Sequence, residues 1–144
     1  MAQALQLAHK AEAAGEVPVG AILVKDNQLI AEGWNQPICS HDATSHAEIM
    51  AMRAAGKKLN NYRLIDTTMY VTLEPCSMCV GAMIHARVAK VVYGAPEPRT
   101  GALGGAFDLL AANMHNHVFE VEAGVLAEES KTLLQEFFRS RRKK

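Results

Sequence analysis

The chain has little cysteine, few aromatic residues and no excess of either charge. Its three cysteines, an odd number, cannot form a closed set of disulfides. No apolar run is long enough to cross a bilayer. The opening stretch, MAQALQLAHKAEAAGE, breaks its apolar positions with charge and lacks the continuous apolar segment of a secretory signal. These absences argue against a disulfide-stapled scaffold and a membrane span, and make a cytoplasmic protein the expectation. Repeats and low-complexity tracts are also missing, so the 144 residues are expected to form one domain around one core.

A formal net charge of zero would by itself argue against a nucleic-acid binder. The charge is nevertheless segregated. Residues 139–144 hold five of the 15 basic residues and no acid, which leaves 10 basic against 15 acidic residues in positions 1–138. This tail reads either as a solvated helix end, favoured by the helix dipole, or as a phosphate-contacting segment.

Patterning predicts a helix over 2–14 ended by Gly15, then strands near 18–25 and 28–34 joined at Asp26-Asn27, residues that tolerate a tight hairpin turn. The stretch NQPICSHDAT reads as a loop, and Ser45 or Thr44 as the cap of a helix running to about Leu59. Strands are expected at 68–74, 90–95 and within VFEVEAG. A helix opened by Pro75 should run to Arg87, and a last helix from Ala127 to about Arg142. The segment PEPRTGALGG is too long for a bare connection and is a candidate functional loop. Strands separated by helices need crossovers, so the expected fold is a three-layer α/β/α arrangement with a mixed central sheet of about five strands.

The chemistry is concentrated in EPCSMC, residues 74–79. Taken alone, a CxxC pair could bind metal, do thiol redox chemistry or simply pack. At a helix start both sulfurs share one face, and the local positive field favours the thiolates that a metal requires. Thirty residues upstream, His46 opens another helix as His-Ala-Glu. His46, Cys76 and Cys79 together make a Cys2His set, three ligands with a further position open to water, as in catalytic zinc sites. Cys39 and His41 lie in the intervening loop as weaker ligand candidates. Glu48 would ordinarily be read as a dipole-complementing acid. Beside a zinc ligand it can instead move a proton between water and substrate.

HAE at 46–48 followed by PCSMC at 75–79 resembles the HxE and PCxxC pattern of the zinc-dependent nucleoside and nucleobase deaminases. Within that superfamily, EVPVGAILV, GWN, HAEIMAMR, NYRLID, YVTLEPCSMCVGAMIHAR, TGALGG and FFRSRR resemble the bacterial tRNA-specific adenosine deaminases over almost the whole chain. The resemblance implies one zinc ion on His46, Cys76 and Cys79, with Glu48 as proton shuttle while activated water attacks carbon 6 of adenine. It implies Asn35 and Ala47 as base-binding positions. Asn116, His117, Phe138, Arg139, Arg141 and Arg142 would contact a tRNA anticodon stem-loop, and the active sites of a homodimer would adjoin its interface. Two departures stand out: Glu97 occurs where an Asp is common, and the N-terminal helix is shorter than is usual. Other readings of the same residues are a deaminase of free bases or nucleotides, a non-catalytic zinc or RNA-binding module, and a thiol redox enzyme.

Overall fold

The structure, a computed structural model, describes residues 1–142, so Lys143 and Lys144 of the basic tail lie outside the described residues. Helix α1 (Ala2–Ala13) leads into strands β1 (Gly20–Lys25) and β2 (Gln28–Trp34). Asp26 and Asn27 both take positive φ, 53° and 61°, which gives the tight turn that their small polar side chains tolerate. A one-turn helix α2 (Pro37–Ser40) precedes α3 (Ala47–Leu59), β3 (Thr68–Leu73), α4 (Ser77–Ala86) and β4 (Lys90–Ala95). A long loop with a 3-10 turn at Leu109–Ala111 then reaches β5 (Glu120–Glu122) and α5 (Ala127–Arg142).

The five strands form one mixed sheet in the order β2-β1-β3-β4-β5. β1 runs antiparallel to β2 and β3, whereas β3, β4 and β5 are parallel. Helices cover both faces, as expected from the alternation of elements.

Two glycines set the closeness of that packing. A Cβ on Gly20 would overlap the backbone of Ala4 and Ala8 in α1, and one on Gly33 would overlap Ala47 and Ala51 in α3. The two glycines occupy adjacent register pairs, Gly20 with Trp34 and Ala21 with Gly33, and so face opposite sides of the hairpin. Alanines opposite glycines bring α1 and α3 backbone to backbone against the sheet. The main core lies on the α3 and α4 side, with Leu23, Ala51, Met69, Val71, Val80 and Met83 buried. On the other side α5 is tied to the sheet by the Ser130 hydroxyl, which donates to the Thr72 carbonyl.

Three local expectations are corrected. Part of the loop NQPICSHDAT is helical, because the buried carboxyl of Glu16 accepts the N–H groups of Ile38 (3.0 Å) and Cys39 (2.7 Å) at the start of α2. Neither Ser45 nor Thr44 caps α3. Both hydroxyls are bound by Asp42, at 3.0 and 2.7 Å, and the N-cap is His46. The Thr44 hydroxyl is the main cause that pulls the Asp42 carboxyl down to about 2. Helix α4 likewise begins at Ser77 with Cys76 as N-cap, not at Pro75.

Candidate active site

Both caps have extended backbone, φ −68° and ψ 156° at His46, φ −80° and ψ 174° at Cys76. A donor at an N-cap lies beside unpaired main-chain N–H groups and the positive end of the dipole. Two helix starts thus present their donors to one point, and Cys79 joins them from the first turn of α4. The imidazole Nδ1 of His46 lies 3.6 Å from the Cys76 sulfur and 3.5 Å from the Cys79 sulfur. All three ligand atoms fall within 4.8 Å of one another.

These separations can be compared with what an ion would need. Tetrahedral zinc, with bonds of about 2.3 Å to sulfur and about 2.0–2.1 Å to nitrogen, places S and N roughly 3.6 Å apart. The side chains therefore already stand at ligand spacing, and soft thiolates with an imidazole suit zinc. Among the described residues no other His, Cys, Asp or Glu joins this group. Cys39 is exposed, with its sulfur 3.8 Å from the Ala14 carbonyl, and His41 is the exposed left-handed C-cap of α2.

The two thiols are electrostatically unequal. A hydrogen bond from Cys79, reinforced by His46, pulls Cys76 down to about 3. The same bond and burial raise Cys79, and the Cys76 bond raises His46. The pair thus behaves as thiolate and thiol, from which an ion would displace the remaining proton. Glu48, in the first turn of α3, is 4% exposed. Burial is the main cause that pushes its carboxyl up to about 7, near the value at which one group can both take and return a proton.

Asn35, His46, Glu48 and Cys76 line one cavity of about 250 Å³ with Val17, Val19, Pro37, Leu73, Glu74 and Thr100. Asn35 enters it from the end of β2, and its Oδ1 accepts the Ala47 N–H at 2.8 Å. Ala47 itself is fully buried under Gly33 and meets the site through that bond. Larger cavities, of about 790, 700 and 410 Å³, lie outside the metal donors, so size alone would have pointed away from the chemistry.

The remaining candidates separate into different places. Phe138, Arg139 and Arg142 line the cavity of about 700 Å³, a groove that shares Val17 and Leu73 with the catalytic cavity. Arg141 is not among them. It donates to the Gly15 carbonyl at 2.8 Å and stacks 4.8 Å from the Phe137 ring. Asn116 lines the cavity of about 410 Å³ with His85 and Arg87, and the His117 ring is engaged by the Val88 carbonyl at 2.8 Å. Sequence reasoning missed two buried acids around the site, Glu16 and Glu74. The glycines of TGALGG were the signal for Glu74, since they expose main-chain donors and leave room for a carboxyl group. Nothing near Glu16 marks it.

Residues 1–95 match the cytidine and deoxycytidylate deaminase zinc-binding region. The chain is 52% identical over 143 residues to the tRNA-specific adenosine deaminase of Haemophilus influenzae, covering 99% of this chain and 83% of that protein. It is similar to a solved structure from work on A-to-I editing by tRNA:A34 deaminases at the wobble position of transfer RNA. There the TM-score is 0.87 and the identity 38%, over 91% of this chain and 95% of the other. A guanine deaminase from Nitrosomonas europaea superposes with a TM-score of 0.77 at 27% identity, over 94% of this chain and 81% of that one. Because the likeness runs the length of the chain and is not confined to the metal motifs, the chain belongs to the zinc-binding cytidine and deoxycytidylate deaminase family, among the tRNA-specific adenosine deaminases.

Proposed function

We propose that this chain, as one deaminase domain over residues 1–144, converts adenosine to inosine at the wobble position of a tRNA anticodon. The observation that carries the reading is a buried acid, Glu48, sharing a cavity wall with metal donors at zinc spacing. The full-length likeness to tRNA-specific adenosine deaminases supports the substrate. His46, Cys76 and Cys79 would hold the zinc, which when bound supplies a water acidic enough to act as nucleophile at neutral pH.

The chain's own residues do the rest. At about 250 Å³ the cavity falls below the roughly 300 Å³ at which drug-sized sites begin, so it takes one base and excludes its stacked neighbours. The adenosine must therefore leave its stack, which favours a loop over a duplex. With Oδ1 taken by Ala47, Asn35 has its Nδ2 free to donate to an acceptor on the base and fix its orientation. Glu48 takes the protons of the attacking water, passing one to the purine N1 and one to the departing amino group. Carbon 6 gains an oxygen and ammonia leaves. Hydrolysis is thereby balanced.

Outside the cavity, Phe138 is 44% exposed and stands with Arg139 and Arg142 in the adjoining groove, suited to stacking and phosphate contact. Asn116 offers a separate contact on the α4 side. Arg141 and His117 serve the scaffold through Gly15 and Val88. A homodimer is supported by the groove of about 790 Å³ on α3 and α4, where Ile49, Met52 and Ala82 stand near the exposed Tyr62. No described helix is long and apolar enough to cross a membrane, and a tRNA substrate suits the cytoplasm.

The test is to incubate zinc-loaded protein with an anticodon stem-loop and look for inosine. Deamination of free guanine or cytidine with the stem-loop left untouched would replace this reading with that of a small-molecule deaminase.

A further inference from the structure

Glu74 follows β3 directly and precedes the cysteine segment, yet no step of the chemistry above uses it. It is 3% exposed. Its Oε1 accepts the Glu97 N–H at 2.9 Å, and its Oε2 accepts those of Leu103 at 2.9 Å and Gly105 at 2.8 Å. Donors from both ends of one loop thus converge on a single carboxyl group. A Cβ on Gly101 or Gly105 would overlap that carboxyl, so the loop is shaped around it. The loop is also fastened to the metal-binding segment: Ala102 donates to the Pro75 carbonyl at 2.9 Å, and Gly101 forms a β-bridge with Cys76.

The two sides of this loop face different spaces. Thr100 lines the catalytic cavity. Pro96, Glu97 and Arg99 line the groove that holds Phe138 and Arg139. We infer that Glu74 is a positioning residue that fixes loop 97–105 as the partition between catalytic cavity and groove, so that an extruded base and the strand beside it are held in one register. The inference rests on the tRNA reading for its substrate, but the tether itself does not.

Glu74→Gln keeps the shape of the side chain and turns one acceptor oxygen into a donor that meets main-chain N–H groups. In zinc-loaded protein, amide exchange at Glu97 or at Leu103 should rise about tenfold, with KM for the stem-loop rising about tenfold and kcat changing less than about threefold. Zinc content and the absorption spectrum of the cobalt-substituted protein should stay as in the wild type. Gly105→Ala, at the exposed end of the loop, pushes it off the same carboxyl and leaves β3 intact, which guards against misfolding of the first variant. It should give the same split, and the double variant should be no worse than either alone. Unchanged exchange and KM in both single variants would overturn the inference. So would lost zinc, an altered cobalt spectrum or a fall confined to kcat, since Glu74 would then act on the metal ligands. A wild-type protein inactive on the stem-loop would sink the tRNA reading alone, and exchange, which needs no substrate, would still decide whether Glu74 holds the loop.

Discussion

Two buried acids near one cavity, Glu16 and Glu48, are treated in opposite ways. Glu16 is 1% exposed and Glu48 4%. Burial pushes both carboxyls up, but at Glu16 the N–H and thiol of Cys39 and the N–H of Ile38 together outweigh it and hold the group below its ordinary value. At Glu48 burial prevails over its own main-chain N–H and the Cys79 side chain, and its value rises to about 7. An acid given main-chain donors becomes a strut. One whose burial outweighs its donors, beside metal ligands, is left chemically unsettled.

The contrast breaks most visibly through Glu48. Glu48→Gln should lower the single-turnover rate of deamination by about 10²–10⁴ while leaving zinc content unchanged. Glu16→Gln should change that rate far less. Equal losses in the two variants would remove the distinction between strut and shuttle.

A second effect concerns stability in the metal-free protein. A raised folded-state value means that the folded chain keeps a proton on Glu48 that the unfolded chain releases between 4.5 and about 7. Stability from this group is therefore complete below pH 4.5, falls as pH rises through that window, and is flat above it. The cost above pH 7 is about 3 kcal/mol. Glu48→Gln should abolish this slope in denaturant titrations of metal-free protein, making the variant more stable than wild type at pH 8. The Cys76 thiolate adds a slope of opposite sign to both proteins, so the contribution of Glu48 is read as the difference between wild type and variant. An identical pH dependence in the two would show that Glu48 is better solvated than its burial implies. Glu16→Ala acts in the other direction, costing about 1–3 kcal/mol in the same titrations because two buried N–H groups lose their acceptor.

The same contrast explains what could be read from the sequence. HAE and PCSMC place their donors through local helix geometry, so the meeting of His46, Cys76 and Cys79 needed only two helix starts and one sheet to imagine. The order of helices and strands was legible for a similar reason, since alternation and turn residues act over a few positions. Helix α2 was not legible, because its four residues are organised by Glu16, over twenty positions away. The cap of α3 was misread because Asp42 binds both candidate hydroxyls. Phe137 and Phe138 are equally apolar in sequence, yet one is 9% and the other 44% exposed, which only the docking of α5 decides.

The arginines of α5 extend that last point to the smallest effect. Arg139 and Arg142 line the groove, whereas Arg141 is fastened to Gly15 and Phe137, although all three look alike in the sequence. Each phosphate contact contributes about 0.9 to the slope of log affinity against log salt on duplex DNA and about 0.7 on single strands. Arg142→Ala or Arg139→Ala should therefore flatten that slope for stem-loop binding by somewhat under about 1 unit. Arg141→Ala should leave the slope unchanged and instead lower the melting temperature slightly, through loss of its clamp on the α1–β1 turn. Fluorescence binding across a salt series separates the three variants. If Arg141 flattened the slope as much as its neighbours, the tail would act as undirected charge, and the division between scaffold and substrate-facing side chains would not extend to α5.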